Sequence, residues 1–403
     1  MANSEITIDM VTAKTLQLLE NNLVLSRMVN RQYDSEFGRE GAKIGDTIRI
    51  RLPGRSITKK GAALQVGAID SKYTTLTLTD QAQDALSFTS AERTLSLDDL
   101  SNRYLVPRAS QLAATIDTDV ASLYKRVYWS VGTPGTTPAT SAVLLAANQK
   151  LNEAAVPIDS RFAVVNPAAN AGLVEGMKGL FNPTGTLSAH FKAGRMGEGI
   201  LGLSEVAMSQ SIASHTCGTR AASGEVTVHT TATEGSGTIL LTAGGATKTV
   251  TEGDVFTVAG CYAVNPQTRQ STGSLMQFVV TANTTISGSS GTSVPIAPAV
   301  YSASQVHANV TTLPAASAAV VFMGAASTTY PQNLIFHRDA FTLATADLVL
   351  PQGTNEASRR NYHGISLRVI SQYDIRTDEF PTRMDILYGY AAIRPEMAVR
   401  LWG

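Results

Sequence analysis

The sequence is short of charged residues and of cysteine. Of its 403 residues 16% are charged, and 32 basic residues balance 32 acidic ones, whereas an average globular protein has about 25% charged residues. A neutral, charge-poor chain is expected to self-associate, and without a basic excess it does not fit a dedicated nucleic-acid-binding protein. Cys217 and Cys261 are too few for a disulfide framework. So few cysteines indicate a protein of the reducing cytoplasm. A single disulfide between Cys217 and Cys261 is the alternative.

The sequence also lacks segments that would direct it to a membrane. No apolar run approaches the ~20 residues of a transmembrane helix. The opening stretch MANSEITIDM has no basic region followed by an apolar one, so it does not read as a signal peptide. We therefore expect no membrane partner.

Motifs of catalysis and metal binding are missing as well. No two histidines have the i, i+4 spacing of metal ligands, and there is neither a Walker phosphate loop nor a G-x-S-x-G elbow. The glycine-rich TAGGAT (242–247) lacks the following lysine and is predicted to join two strands. The sequence does not exclude a Ser-His-Asp triad formed by residues that are far apart in the chain. We predict no catalytic, cofactor-binding or metal residues, and hence no enzyme.

Two stretches have helical periodicity. Apolar residues at spacings of three and four predict a helical arm over about 8–30. A second stripe, which includes Leu112, Ile116 and Val120, predicts a long helix over about 97–130. Pro107 interrupts or restarts it because proline has no N–H to donate.

Between these helices the period changes to two. TIRIRLP (47–53) and KYTTLTLTD (72–80) each alternate apolar and polar residues, which predicts two strands with one apolar face. From Arg39 to Lys72 there are eight basic residues against three acidic ones. A long hairpin cannot bury itself alone, so it lies on something, which can be another subunit. A solvated surface hairpin is the alternative.

The composition shifts again in the second half. From Gln270 to His337 there is no Asp, Glu, Lys or Arg, and residues 223–325 alternate short β-forming runs with turn signals. This pattern predicts an inserted sandwich or barrel. The flanking parts mix helix and strand. A short helix is expected near Asp339, a polar loop over 352–364, and strands toward residue 403.

The order of these segments resembles the major capsid (coat) protein of tailed double-stranded DNA phages, the Hong Kong ninety-seven type fold, in the podovirus-like branch with an inserted β domain. The stretches that carry the resemblance are FTSAERTLSLDDLSNRYLVPRASQLAATIDTDVA, RFAVVNP, GDVFTVAGCYAVNPQTRQSTGSLMQFVVT, NLIFHRDAF and ILYGYAAIRPEMAVRLWG.

The resemblance implies an α+β fold with an axial domain, a peripheral domain with a long spine helix, an extended hairpin loop, an N-terminal arm and a small inserted β-barrel or sandwich. The implied parts are an N-terminal helical arm (1–45), the extended β-hairpin loop (46–80), the peripheral domain with the spine helix (81–139), the first part of the axial domain (140–222), the inserted β domain (223–325), the second part of the axial domain (326–352), and a polar loop with closing strands of the peripheral domain (353–403).

The implied function is a major capsid protein that self-assembles into an icosahedral shell around double-stranded DNA, without sequence-specific binding. The implied partners are the protein itself in pentamers and hexamers, a scaffolding protein and a portal. Assembly is expected in the host cytoplasm and residence in the virion capsid. A β-rich binding or decoration protein of a virion is the alternative. The candidate inter-subunit contact residues are Arg49, Arg51, Arg55, Lys59, Lys60, Lys72, Arg359 and Arg360. Simple charge contact is preferred over a covalent crosslink at Lys59 or Lys60.

Overall fold

The structure is a computed structural model of the chain. It describes residues 8–33, 47–58, 61, 72–89, 106–176, 197–220, 224–245, 247–288, 290–354 and 356–403. These residues form helices and many strands, which confirms the predicted α+β class. Within the described ranges, no helix is both long and apolar enough to cross a membrane.

Five α-helices lie within the described ranges. They are α1 (Ile8–Asn22), α2 (Leu25–Met28), α3 (Val106–Ala121), α4 (Ser141–Glu153) and α5 (Pro167–Gly176).

The strands are β1 (Thr47–Arg51), β2 (Tyr73–Thr77), β3 (Asp80–Thr89), β4 (Trp129–Val131), β5 (Arg161–Val165), β6 (Gly197–Ile200), β7 (Leu203–Met208), β8 (Ser214–Thr216), β9 (Val226–Val228), β10 (Thr238–Ala243), β11 (Lys248–Val250), β12 (Val255–Val264), β13 (Ser271–Val280), β14 (Thr284–Ile286), β15 (Thr292–Ala297), β16 (Val320–Phe322), β17 (Thr329–Pro331), β18 (Asn333–His337), β19 (Phe341–Ala346), β20 (Glu356–Tyr362), β21 (Ile365–Ser371), β22 (Glu379–Ala392) and β23 (Ala398–Leu401).

The chain divides into two compact units. Unit 1 comprises Met1–Ile50, Tyr73–Ala121 and Phe341–Ile393, and unit 2 comprises Arg51–Lys72, Ser122–Ala340 and Arg394–Gly403. The finer division into seven parts stays a prediction.

Unit 1 is built on one antiparallel sheet. The long strand β22 pairs with β3, β19 and β21, and β21 pairs with β20. One face of β21 is apolar and buried, at Ile365, Leu367 and Val369. Helix α1 contacts β20, β21 and α3, and its buried Leu16 and Leu19 show that its apolar stripe faces the core.

A buried carboxylate fixes the second helix of unit 1. Asp117 of α3, only 2% exposed, accepts hydrogen bonds from the backbone N–H groups of Val24, Leu25 and Ser26, at 2.8, 3.3 and 2.9 Å. It also accepts one from the Ser26 hydroxyl at 2.6 Å. Helix α2 has no side-chain cap at its own N-cap position. Asp117 therefore satisfies the free N–H groups that every helix leaves at its N-terminus.

Unit 2 contains a mixed sheet in the order β4-β23-β18-β5-β7-β6. The last strand, β23, lies between β4 and β18, and all four of its residues are buried. The apolar end of the sequence is thus a central strand. Because β23 pairs outside the sheet of β20–β22, residues 353–403 are shared between two sheets.

Strands between residues 226 and 322, within the predicted β segment, form a six-stranded barrel in unit 2, which confirms the strands predicted there. The strand order is β16-β12-β13-β15-β10-β9. A bridge between Thr227 and Ala319 joins the two end strands. Three buried aromatic rings fill its interior, with Phe256 lying 5.7 Å from Phe278 and 5.3 Å from Phe322 between ring centroids.

Two local predictions are wrong. The expected helix near Asp339 is a single 3-10 turn, Arg338–Ala340, followed by strand β19. The expected polar loop over 352–364 contains strand β20. Its polar side chains resemble those of a loop because β20 pairs along one edge only, with β21. Residues 97–105 of the predicted long helix lie outside the described ranges.

Candidate assembly surface

The hairpin of β1 and β2 presents one apolar and one polar face. Ile50 and Leu76 are 6% and 0% exposed, while Thr47, Arg49, Arg51, Tyr73 and Thr75 alternate with them and are exposed. The ladder continues past β1, because the N–H of Leu52 donates to the carbonyl of Lys72 at 2.9 Å. The alternation of buried apolar and exposed polar residues that the sequence predicts is therefore present in both β1 and β2.

Two arginines and a tyrosine dominate the polar face of this hairpin. The guanidinium of Arg49 lies 5.3 Å from the ring centroid of Tyr73, and Tyr73 is 58% exposed. Within the described part of the chain, neither Arg49 nor Arg51 has a carboxylate partner. Two unneutralised cations beside an exposed aromatic ring are suited to an acidic protein surface.

Other candidate residues of the loop are engaged within their own chain. The ammonium of Lys72 donates to the Tyr301 hydroxyl at 3.0 Å and lies 4.1 Å from the centroid of that ring. Arg55 is half-buried. The charge of Arg55 acts on Tyr128 of the same chain. Burial raises the pKa of Tyr128 well above its usual range, and the charge of Glu396 raises it further, whereas the charge of Arg55 lowers it. Lys59 and Lys60 lie outside the described residues.

Arg359 and Arg360 point to opposite faces of β20 and are both partnered in unit 1. Arg360 donates to a carboxylate oxygen of Asp9 at 3.1 Å. Asp9 also accepts from the Ser358 hydroxyl, and this bond more than the charge of Arg360 lowers the pKa of Asp9. Arg359 donates to the carbonyl of Leu348 at 3.1 Å. Of the predicted contact residues, Arg49 and Arg51 are therefore the ones that the structure leaves exposed and without an acidic partner among the described residues.

Unit 2 contains a buried polar cluster that the sequence does not predict. Asp254, 1% exposed, accepts from the guanidinium of Arg220 at 2.9 Å and from Nε2 of His215 at 3.1 Å. Its second oxygen accepts from the N–H groups of Gly218 and Thr251. Nδ1 of His215 lies 3.2 Å from the hydroxyl of Tyr124. One neutral histidine tautomer satisfies both contacts, because the carboxylate can only accept.

A third arginine extends this cluster to the end of the chain. The Arg400 guanidinium stacks 5.1 Å from the centroid of Tyr124 and donates to the carbonyl of Gly253 at 2.7 Å. Burial lowers the pKa of Arg400 to about 10. The cluster joins the turn before β12 of the barrel to β23 and to the 3-10 turn Ser122–Arg126. No sequence signal marks it, since its members come from segments far apart in the chain.

The ligand atoms of His215, Cys217 and Asp254 lie within 4.8 Å of one another, close enough for a metal ion. The arrangement does not fit one. Both oxygens of Asp254 already accept hydrogen bonds, and Arg220 supplies the compensating positive charge. Burial also raises the pKa of the Cys217 thiol to about 11, so forming the thiolate that binds metals costs more free energy here than in water.

Comparisons with known proteins bear on the whole chain. A family model described as "P22 coat protein - gene protein 5" matches residues 1–403. No curated protein gives a significant match.

Solved structures give weaker similarities. A structure from Mycobacterium phage Che8 is 15% identical over 94% of this chain and 90% of that chain, with a TM-score of 0.48. The capsid of Ralstonia phage GP4 is 8% identical over 94% and 88%, with a TM-score of 0.46. The CUS-3 coat protein I-domain is 30% identical over 24% of this chain and 94% of that chain, with a TM-score of 0.19. Because these TM-scores lie below 0.5, the solved structures carry no argument about the family of this chain. The family is given by the match of the family model over residues 1–403.

Proposed function

Because the chain belongs to the P22 coat protein family, we propose that the exposed face of its basic hairpin joins neighbouring subunits of the shell. The chain is a major capsid protein that forms a phage shell with copies of itself, and it belongs to the virion capsid. It is a structural protein, and we propose that it has no catalytic function. The match over the whole chain sets aside the alternative of a decoration protein.

One observation supports the hairpin role. Arg49 and Arg51 project from a strand pair whose other face is anchored by Ile50 and Leu76. Among the described residues these cations gain no pairing energy from a carboxylate, so they contribute most where an acidic partner approaches. In a chain with zero net charge, this local positive charge sets the register of a contact without drawing in nucleic acid generally.

Further partners follow from the same function. The shell encloses double-stranded DNA without reading its sequence, and its closure is guided by a scaffolding protein and interrupted by a portal. Assembly takes place in the host cytoplasm. The even balance of 32 basic and 32 acidic residues supports a shell that closes before it encloses DNA, because a strongly basic shell would bind phosphates before closure.

The test is charge reversal in the hairpin. Arg51→Glu is expected to reduce the yield of closed shells at least tenfold, because a like-charge contact costs several kcal/mol where a favourable one existed. The matched control is Arg51→Lys, which keeps the charge and is expected to assemble nearly as the wild type does. Shells are counted by electron microscopy after velocity sedimentation, and circular dichroism checks the fold of each variant. Normal shells from Arg51→Glu would refute the hairpin role.

A further inference from the structure

Arg400 is a buried arginine that is hydrogen-bonded through one of its three side-chain nitrogens. It is 1% exposed. Its Nη1 donates to the carbonyl of Gly253 at 2.7 Å and reaches the side-chain oxygen of Gln332 only at 3.5 Å. Nε and Nη2 are buried and have no hydrogen-bond partner among the described residues. The N–H bonds of these two nitrogens leave one edge of the guanidinium in the same direction, and this edge can bind an anion through two parallel contacts.

Another buried arginine of unit 2 has the same edge fully bonded. Arg161 is 2% exposed, and its three side-chain nitrogens donate four hydrogen bonds of 2.7 to 3.1 Å. The acceptors are the carbonyls of Pro157 and Val156 and the side chains of Asn148 and Asn152. A buried donor without an acceptor costs free energy. The comparison shows which interaction the described residues do not supply to Arg400.

Tyr124 covers the face of the Arg400 guanidinium and leaves this edge accessible to a ligand. The ring centroid of Tyr124 lies 5.1 Å from the central guanidinium carbon. A ring in a cation–π contact lies over the guanidinium plane, whereas the N–H bonds lie within that plane. Burial lowers the pKa of Arg400 to about 10, which still leaves the group charged near neutral pH. The unpaired edge therefore belongs to a buried cation.

The neighbourhood of Arg400 has more cations than carboxylates. The carboxylate of Asp254 is already bonded to Arg220, at 2.9 Å. Glu252 pairs with two cations of the 3-10 turn Ser122–Arg126, at 3.4 and 3.6 Å. Four cations, Arg400 included, thus stand against two carboxylates in this part of unit 2. Because buried charges are stable only when they are paired, the site favours an anion over a neutral ligand.

The unpaired edge lies where the barrel meets the mixed sheet. Arg400 belongs to β23 of the sheet, and Gly253 belongs to the turn before barrel strand β12. Ser130 of β4 is the register partner of Arg400, and its backbone exchanges two hydrogen bonds with the side chain of Gln277 in β13, at 2.6 and 3.1 Å. A ligand enclosed between these two sheets has to be small.

We propose that the Nε–Nη2 edge of Arg400 binds a single halide ion, such as chloride, at the junction of the barrel and the mixed sheet. A halide is small and monovalent, it neutralises the guanidinium, and it accepts from both N–H groups at once. The bound ion fastens β23 to the barrel. The site lies within one chain, so this inference goes beyond the proposed function and does not depend on the role of the hairpin.

Bromide in place of chloride locates the ion. The chain is refolded and assembled in sodium bromide and, separately, in sodium gluconate, whose anion is too large for the junction. The two maps from electron cryomicroscopy of the shells are then subtracted. We expect a difference peak within hydrogen-bond distance of Nε and Nη2 of Arg400, and none beside Arg161. Equal density in both maps would mean a water molecule and would overturn the site, as would the absence of density there.

Scanning calorimetry of the full chain measures the effect of the ion on stability. Chloride replaces gluconate stepwise at constant ionic strength and protein concentration. We expect the melting temperature of the wild type to rise by at least about 2 °C and then to level off, because a ligand that binds only the folded state stabilises it by mass action.

Two arginine variants show whether this response belongs to Arg400. Arg400→Met keeps an apolar side chain of similar reach and is expected to lose the response to chloride. The matched control is Arg161→Met, which also removes a buried arginine. It is expected to be less stable than the wild type and to keep the full response. A wild type that does not respond, or an equal response in Arg400→Met, would overturn the site. The bromide difference map tests the site in the wild type if Arg400→Met does not fold.

Discussion

At the scale of single residues, Asp254 makes the stability of the protein depend on pH. Burial alone would raise the pKa of this carboxyl, but the hydrogen bond from His215, the charge of Arg220 and the N–H of Thr251 lower it from 3.8 to about 2. Because the pKa of Asp254 is lowered in the folded state, its ionised carboxylate stabilises the fold at any pH above its ordinary pKa. This stabilisation is lost as the pH falls from about 4 toward about 2. The shift corresponds to about 2 kcal/mol.

We therefore expect Asp254→Asn to lower the melting temperature near neutral pH, and the gap from the wild type to narrow as the pH falls below about 4. Thermal unfolding followed by circular dichroism across this range measures the gap. Glu225→Gln is the control, because Glu225 pairs with Lys248 at the surface, at 2.7 Å, where such pairs contribute little. A difference in melting temperature between Asp254→Asn and the wild type that stays constant with pH would contradict the lowered pKa of Asp254.

Gly132 is a second residue whose identity the structure fixes. Its φ is +91°, and a Cβ there would overlap the carbonyl oxygen of Trp402. We expect Gly132→Ala to lower the free energy of unfolding by more than about 1 kcal/mol, because strain and overlap add. Denaturant titration measures the difference. Gly245→Ala is the control, since its Cβ would meet no atom within 4 Å, and equal losses in both variants would refute the packing argument.

At the scale of elements, the crossing of β2 and β22 positions the hairpin. A Cβ on Gly389 of β22 would overlap the carbonyl oxygen of Thr77 in β2. We expect Gly389→Ala to push β2 away and reduce shell yield several-fold, with a smaller effect on the rest of unit 1 because the ladder of β22 with β3 remains. Hydrogen exchange of β2 compared with β3, together with shell counts, tests this. Unchanged protection in β2 would argue against the crossing as the constraint.

The elements also show which features the sequence could predict. Strands β1 and β2 were predicted because a single buried face imposes strict alternation. Strand β20 resembles a loop in the sequence because EASRRNY carries polar side chains on both of its faces. Strand β19 does not read as a strand in the sequence because FTLATA is buried almost throughout and does not alternate between apolar and polar residues. The cluster around Asp254 could not be predicted, since only tertiary pairing brings Arg220, His215 and Arg400 together.

At the scale of the whole molecule, the assembly should weaken with salt even though the net charge is zero. Complementary contacts between copies depend on local charge, and the Debye length falls from about 10 Å at 0.1 M to about 3 Å at 1 M salt. We expect the rate of shell formation, followed by light scattering, to fall over this range of sodium chloride. The variant with both Arg49→Gln and Arg51→Gln should assemble more slowly at low salt and respond less to added salt. An equal response in both proteins would mean that charges elsewhere steer the assembly. A rate that rises with salt would mean that apolar contacts between copies outweigh the arginines.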